Sequence, residues 1–226
     1  MRPSRGSSIF TDIKTSLPNF NGSIIFDVGA NVGNVSKQFA RSFPHALLHA
    51  FEPVPSTFHD LVENTKGLSI RCHNIALSDS NGVAKMQRQG DRGLFTLEVE
   101  KIEGDASSDT VDVPMTTLDD FCGENRINRI NYLKIDAGGH DLSVLQGTKQ
   151  QLERQAVEIV EVEAGMNPDS KIFSSFEDMK AYLEQFDYRL FALYEQMHEF
   201  KTNAPHLRRV NAVFLSRRTI EDNTKR

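Results

Sequence analysis

Tryptophan is missing from these 226 residues, and cysteine occurs only twice. Cys72 and Cys122 stand in unrelated contexts without a C-x-x-C pair or a zinc spacing, which argues against a disulfide framework or a thiolate metal site and for a reducing, cytoplasmic setting. No run approaches the roughly 18 apolar residues of a membrane-spanning helix. The first eight residues carry two arginines but lead into no apolar segment of the secretory kind. Basic excess is also missing. A net charge of -5 and a pI near 5.8 lack the footprint of a nucleic-acid binder, so neither nucleic acid nor membrane is expected as a partner. The local cluster of Arg208, Arg209, Arg217 and Arg218 reads as a solvated edge. The length accommodates one large α/β domain with a full core and leaves the oligomeric state open.

The most informative stretch is 23–34, Ser-Ile-Ile-Phe-Asp-Val-Gly-Ala-Asn-Val-Gly-Asn. Its apolar run suits a parallel strand buried on both faces, and Gly29 and Gly33 allow a tight loop before a helix. Such a loop at the carboxyl edge of a sheet is a small-molecule site by geometry. A dinucleotide fold calls for G-x-G-x-x-G, whereas here the spacing is D-x-G-x-N-x-G. This resembles motif I of class I S-adenosylmethionine-dependent methyltransferases, whose loop wraps the amino-acid end of the cofactor.

Before that stretch, Ile9, Phe10, Ile13 and Leu17 recur at roughly helical spacing within a segment, 1–22, that reads as lid-like. After it, periodicity predicts a helix over 34–42, a strand over 46–51 and a helix running to residue 64. Glu52 lies at the tip of that second strand, 19 residues past Gly33. It is placed either to accept both hydroxyls of a ribose or to serve as an acid at a helix start. A third strand over 68–77 ends in Leu77-Ser78-Asp79, where the chain would lie beside an adenine. Runs at 83–87, 94–99 and 111–115 predict an antiparallel insertion spanning 80–116, followed by a short helix capped by Thr116 or Thr117. A fourth strand, 130–136, brings Asp136 to the same edge as Asp27. Gly138 and Gly139 turn the chain, and Asp141 caps a helix carrying Leu142, Leu145 and Leu152. A strand over 156–163 ends in Glu161 and Glu163. A helix over 175–186 and strands over 188–194 and 210–216, with an excursion between them, close the pattern.

The ordered set 26–33, Phe51-Glu52-Pro53, Ala76-Leu77-Ser78-Asp79, Thr117-Leu118-Asp119-Asp120 and Leu133-Lys134-Ile135-Asp136, with Leu145 and Gly147, resembles the FkbM family of methyltransferases over about residues 23–163. The resemblance implies a Rossmann-like, doubly wound, seven-stranded and mostly parallel sheet with an antiparallel last strand. It implies S-adenosyl-L-methionine as cofactor, and a hydroxyl of a sugar or small natural product as methyl acceptor. Cofactor contacts would fall to Asp27, Gly29, Asn31, Gly33, Glu52 and Asp136, with the chain at Leu77, Ser78 and Asp79. One position departs from the family's I-D-x-E-G: Gly138 stands where the glutamate would be. The proton of the acceptor then falls to Asp136, His140 or the Glu161 and Glu163 pair, with Asp136, His140 and Glu163 as the catalytic set. Asp136, His140, Glu161 and Glu163 could also hold a divalent ion. Two other classes share much of this pattern, a nicotinamide-dependent oxidoreductase and a catalytically impaired nucleoside-binding protein.

Overall fold

A computed structural model describes residues 6, 8–89, 94–98, 110–170, 172–200 and 204–224, with the backbone path alone at 87–89 and 94–98. Five short apolar runs become parallel strands: β1 (Ile24–Val28), β2 (Leu47–Phe51), β3 (Ile70–His73), β8 (Ile130–Ile135) and β9 (Val157–Gly165). They join β10 (Tyr188–His198) and β11 (Leu207–Ser216) in one sheet of order β10-β11-β9-β8-β1-β2-β3, in which β11 runs antiparallel to both neighbours. The seven-stranded, doubly wound α/β sheet with a reversed last strand is therefore as expected.

Alternation along the strands divides the core between two faces. Phe26, Leu133, Val160 and Phe214 pack beneath α4 (Leu118–Glu124), α5 (Asp141–Gln146), α6 (Lys149–Glu153) and α7 (Phe176–Glu184). Ile25, Tyr132, Ile159 and Val213 face α1 (Ile9–Ser16) and α2 (Asn34–Ser42). The remaining helices, α3 (Pro55–Asn64) and α8 (Arg217–Asn223), flank the sheet. The segment read as a lid instead belongs to the core: Ile13 is fully buried and Leu17 nearly so, beside Phe39 and Phe43. Residues 1–5 and 7 of that segment lie outside the described residues.

Three boundaries differ from expectation. The strand expected over 68–77 is two strands, β3 and β4 (Ala76–Ser78), because Asn74 breaks it, its amide donating to the carbonyls of Glu52 and Pro53. β4 leaves the main sheet and pairs in parallel with β7 (Thr110–Thr117), which with β5 (Gly82–Gln89) and β6 (Leu94–Glu98) forms a second sheet. This is the expected insertion, although Val99 lies outside the described residues. The helix with Leu142, Leu145 and Leu152 is split at Gly147 into α5 and α6. The last two strands are longer than their apolar runs, which shortens the excursion to 199–206. Thr117 is the cap of α4, its hydroxyl accepting from Asp120 N at 3.0 Å. Among the described residues, no helix is long and apolar enough to cross a membrane.

Candidate active site

The loop after β1 is held by backbone contacts. Gly29 N and Ala30 N both donate to Phe51 O, at 3.0 and 2.9 Å. Gly29 has φ +78°, and a Cβ there would lie 1.9 Å from Asp136 O, so no other residue allows β1 and β8 to end side by side. Asn31 follows at φ +50°, in the left-handed region that asparagine tolerates. Glu52, buried at the tip of β2, braces this loop: Oε2 accepts from Asn31 N and Oε1 from Val54 N, both at 3.0 Å. Each oxygen keeps a second lone pair. Burial raises the Glu52 pKa, the two backbone donors oppose the shift, and Asp27 adds to it.

Beneath the brace opens a cavity of about 450 Å³, lined by residues 28–32, Glu52 and the tip of β8 from Asp136 to Gly138. Its apolar wall is Phe51, Val54, Ile75, Leu77 and Met86. The size and the mixture suit a small polar ligand with one flat apolar part. Asn31, Gly29, Glu52, Leu77 and Asp136 thus share this cavity. Ser78, Asp79, Asp27 and Gly33 do not line it. Ser78 is buried, with its hydroxyl 2.7 Å from His140 Nε2, and burial lowers the His140 pKa against the pull of Asp79. Asp27 sits below the loop, where its Oδ2 accepts from Ser36 Oγ at 2.5 Å and burial pushes its pKa up to about 6. Gly33 starts α2, packed against Leu61 and Thr65.

A second group of side chains lies along the carboxyl edge of β8 and β9. Cross-strand register aligns Asp27 with Lys134 and Lys134 with Glu161. Lys134 is nearly buried, and its Nζ lies 3.1 Å from Asp136 Oδ2, whose side chain remains 40% exposed. Burial alone would lower the Lys134 pKa, but Glu161, Asp136 and Asp27 together raise it. Glu161 accepts from Tyr132 OH at 2.5 Å and Asn211 Nδ2 at 2.9 Å. Glu163 pairs with Arg209 Nη1 at 2.8 Å, and burial and the nearby Asp136 push its pKa up to about 7. That value suits a group that must exchange a proton near neutrality.

The proposed divalent ion finds no support in this arrangement. Among the described residues no three His, Cys, Asp or Glu side chains converge to hold one. His140 is committed to Ser78, Glu161 to Tyr132 and Asn211, and Glu163 to Arg209. Asp141 does not cap its helix, a place taken by His140, but accepts from Ala137 N and Gly139 N at 3.3 and 3.1 Å. Nor are Arg208 and Arg209 a solvated edge. Arg208 Nη1 contacts both carboxylate oxygens of Glu199 and lies against the rings of Phe173 and Phe200. Of these four arginines, Arg217 and Arg218 are the exposed ones, each paired along α8. Lys134, Arg209 and Asn211 are not among the expected site residues, although a lysine inside the apolar run of β8 is a visible signal.

Residues 27–190 match the family described as the Methyltransferase FkbM domain. The chain belongs to the FkbM methyltransferase family. Its relatives include the hexuronic acid methyltransferase AglP of Haloferax volcanii, 29% identical over 160 residues, 64% of this chain and 58% of that one. The 2-O-methyltransferase NoeI of Sinorhizobium fredii is 25% identical over 214 residues, 87% and 79% of the two chains. Methyltransferase 1 of Beauveria bassiana is 26% identical over 144 residues, and the chain spans 58% of its length, as it does of AglP's. The fold is shared with M. capricolum TrmK, solved with S-adenosyl-homocysteine, at TM-score 0.51 and 10% identity over 90% of this chain and 66% of that one.

Proposed function

We propose that this FkbM-family chain is an S-adenosyl-L-methionine-dependent O-methyltransferase acting on a hydroxyl of a sugar or small natural product, in a reducing cytoplasm. The observation that carries the proposal is the cavity in which a nucleoside-type acid, Glu52, and an apolar wall meet the tip of β8 at Asp136. The residues present fit that cofactor. The free lone pairs of Glu52 would take the ribose hydroxyls, Leu77 and Ile75 would flank the adenine, and the backbone of 29–32 with Asp136 would take the amino-acid end. Asp27, Gly33, Ser78 and Asp79 would act from behind, shaping the loop and the β4 edge. Named relatives that act on a hexuronic acid and at a 2-O position support the acceptor class.

When bound, S-adenosyl-L-methionine supplies a methyl carbon on a positively charged sulfur that takes back the bonding pair as the methyl leaves. The chain's part is alignment and the fate of one proton. Asp136, held by Lys134 and still partly exposed, would orient the acceptor hydroxyl. Glu163, next along the edge, would take its proton.

Thermal shift with S-adenosylmethionine, S-adenosylhomocysteine and NADH tests the reading, because a ligand that binds only the folded state raises its stability. Stabilisation by the first two and not by NADH is the expected result, followed by S-adenosylhomocysteine release with a panel of hydroxylated acceptors. Stabilisation by NADH alone would instead indicate an oxidoreductase.

A further inference from the structure

One buried acceptor in this fold is left over. Asn211 on β11 is 4% exposed; its Nδ2 donates to Glu161 Oε1 at 2.9 Å, while its Oδ1 has no hydrogen-bond partner among the described residues. A buried acceptor without a donor is costly enough to call for an explanation. The amide cannot simply be turned over. Glu161 faces the buried Lys134 cation and receives the Tyr132 hydroxyl on its other oxygen; as an ionised carboxylate it accepts on both sides, and a turned amide would set oxygen against oxygen.

The ladder places a carboxyl group beside the orphan oxygen. Asn211 is paired directly with Glu163 across β11 and β9, so their side chains share a face and stand next to each other. Two residues away, Arg209 holds Glu163 Oε1, leaving Oε2 to carry a proton. A neutral Glu163 carboxyl is a donor, whereas an ionised one is not. One amide therefore holds Glu161 by its N–H and stands beside Glu163 in the ladder with its oxygen unpaired.

We propose that Asn211 is a positioning residue that divides the two glutamates by role: its N–H holds Glu161 as a carboxylate, and its carbonyl oxygen receives the proton that Glu163 carries. Resting on the methyltransferase reading, this gives the acceptor's proton a destination. The acceptor O–H bond breaks, its electron pair stays on the oxygen that bonds to the methyl carbon, and the proton passes to Glu163 Oε2 and hydrogen-bonds to Asn211 Oδ1. Glu161 stays out of the exchange as counter-charge to Lys134. The groups acting on Glu163 are Lys134 from β8, Asp136 just past its end, Asp141 from α5 and Arg209 from β11, while Glu195 on β10 acts on Glu161.

The test is a carbon-13 NMR titration of the glutamate carboxyl groups in the whole chain, with and without Asn211→Leu. Leucine keeps the volume and removes both ends of the amide. The expected result is a shift in opposite directions, with the Glu163 midpoint falling and the Glu161 midpoint rising, each by roughly one unit. A general loosening of the site would instead bring both midpoints down toward the ordinary glutamate value, and that result, or an unmoved Glu163, overturns the proposal. Should Asn211→Leu not fold, wild-type protein carries the same test. The Asn211 side-chain carbonyl carbon should titrate in step with Glu163, and an Asn211 signal flat through the Glu163 midpoint overturns the assignment. Neither measurement depends on methyl transfer, so absence of S-adenosylhomocysteine binding would sink the function and leave the division of the glutamates standing or falling by itself.

Discussion

Lys134 is a cation that water hardly reaches, set among Asp27, Asp136 and Glu161. Its value lies in what its loss would expose. Removing one partner of a buried charge group leaves the others uncompensated, which costs about 3 to 5 kcal/mol. Lys134→Met should therefore lower the unfolding free energy in urea by about that much, although methionine fills nearly the same volume. A loss under about 1 kcal/mol would mean that the three carboxyls are neutral without it. Glu52 is the opposite case, a brace for the loop that on the proposed reading would also hold a ligand. Its oxygens accept from Asn31 N and Val54 N, so Glu52→Gln turns an NH₂ toward one of two N–H groups and weakens any ribose contact at once. S-adenosylhomocysteine affinity should fall by about 1 to 3 kcal/mol in calorimetry. Unchanged affinity would reduce Glu52 to a brace for the loop.

At the scale of elements, the apolar runs announced the strands and their tips announced Asp27, Glu52 and Asp136 at one edge, because a strand's end is a local property. What could not be read depended on partners distant in the chain. Lys134 meets Glu161, and Glu161 meets Asn211, only after parallel and antiparallel registers are set. The division of the third strand depends on Asn74 reaching back to Glu52 and Pro53. Gly138 illustrates both sides. Its lack of a carboxylate was legible, but its φ of +63° was not, and that conformation makes Gly138→Glu a strained substitution as well as an added acid. Gly147 is a cleaner probe of packing between elements. Its backbone is ordinary, yet a Cβ there would sit 1.8 Å from Ser78 O on β4, the residue that holds His140. Gly147→Ala should cost at least about 1 to 3 kcal/mol in chemical denaturation, since backbone cannot yield as a side chain does. A neutral effect would show that α5 and β4 can separate freely.

The whole molecule carries two opposed sets of buried titrating groups. Burial raises Asp27 and Asp141 to about 6, and burial with nearby carboxylates raises Glu163 to about 7. Burial lowers His49 to about 4 and also lowers His73 and His140. For the raised acids, the folded state binds protons that the unfolded chain has released, so their contribution is full below the ordinary carboxyl range and lost as pH rises through 6 to 7. For the lowered histidines the unfolded chain binds the extra protons, so stability is lost as pH falls below about 6.5. The two slopes oppose each other, and the wild-type chain should show a nearly flat stability between pH 6 and 8. Removing a single acid exposes its slope. Glu163→Gln no longer titrates, so its stability relative to wild type should rise by about 1 kcal/mol from pH 6 to pH 8, because only the wild type must ionise a buried carboxyl over that interval. Urea unfolding of both proteins at the two pH values measures this double difference. A difference that does not change with pH would place the Glu163 midpoint in the ordinary carboxyl range, and a group ionised that readily would be a poor acceptor for a hydroxyl proton near neutrality.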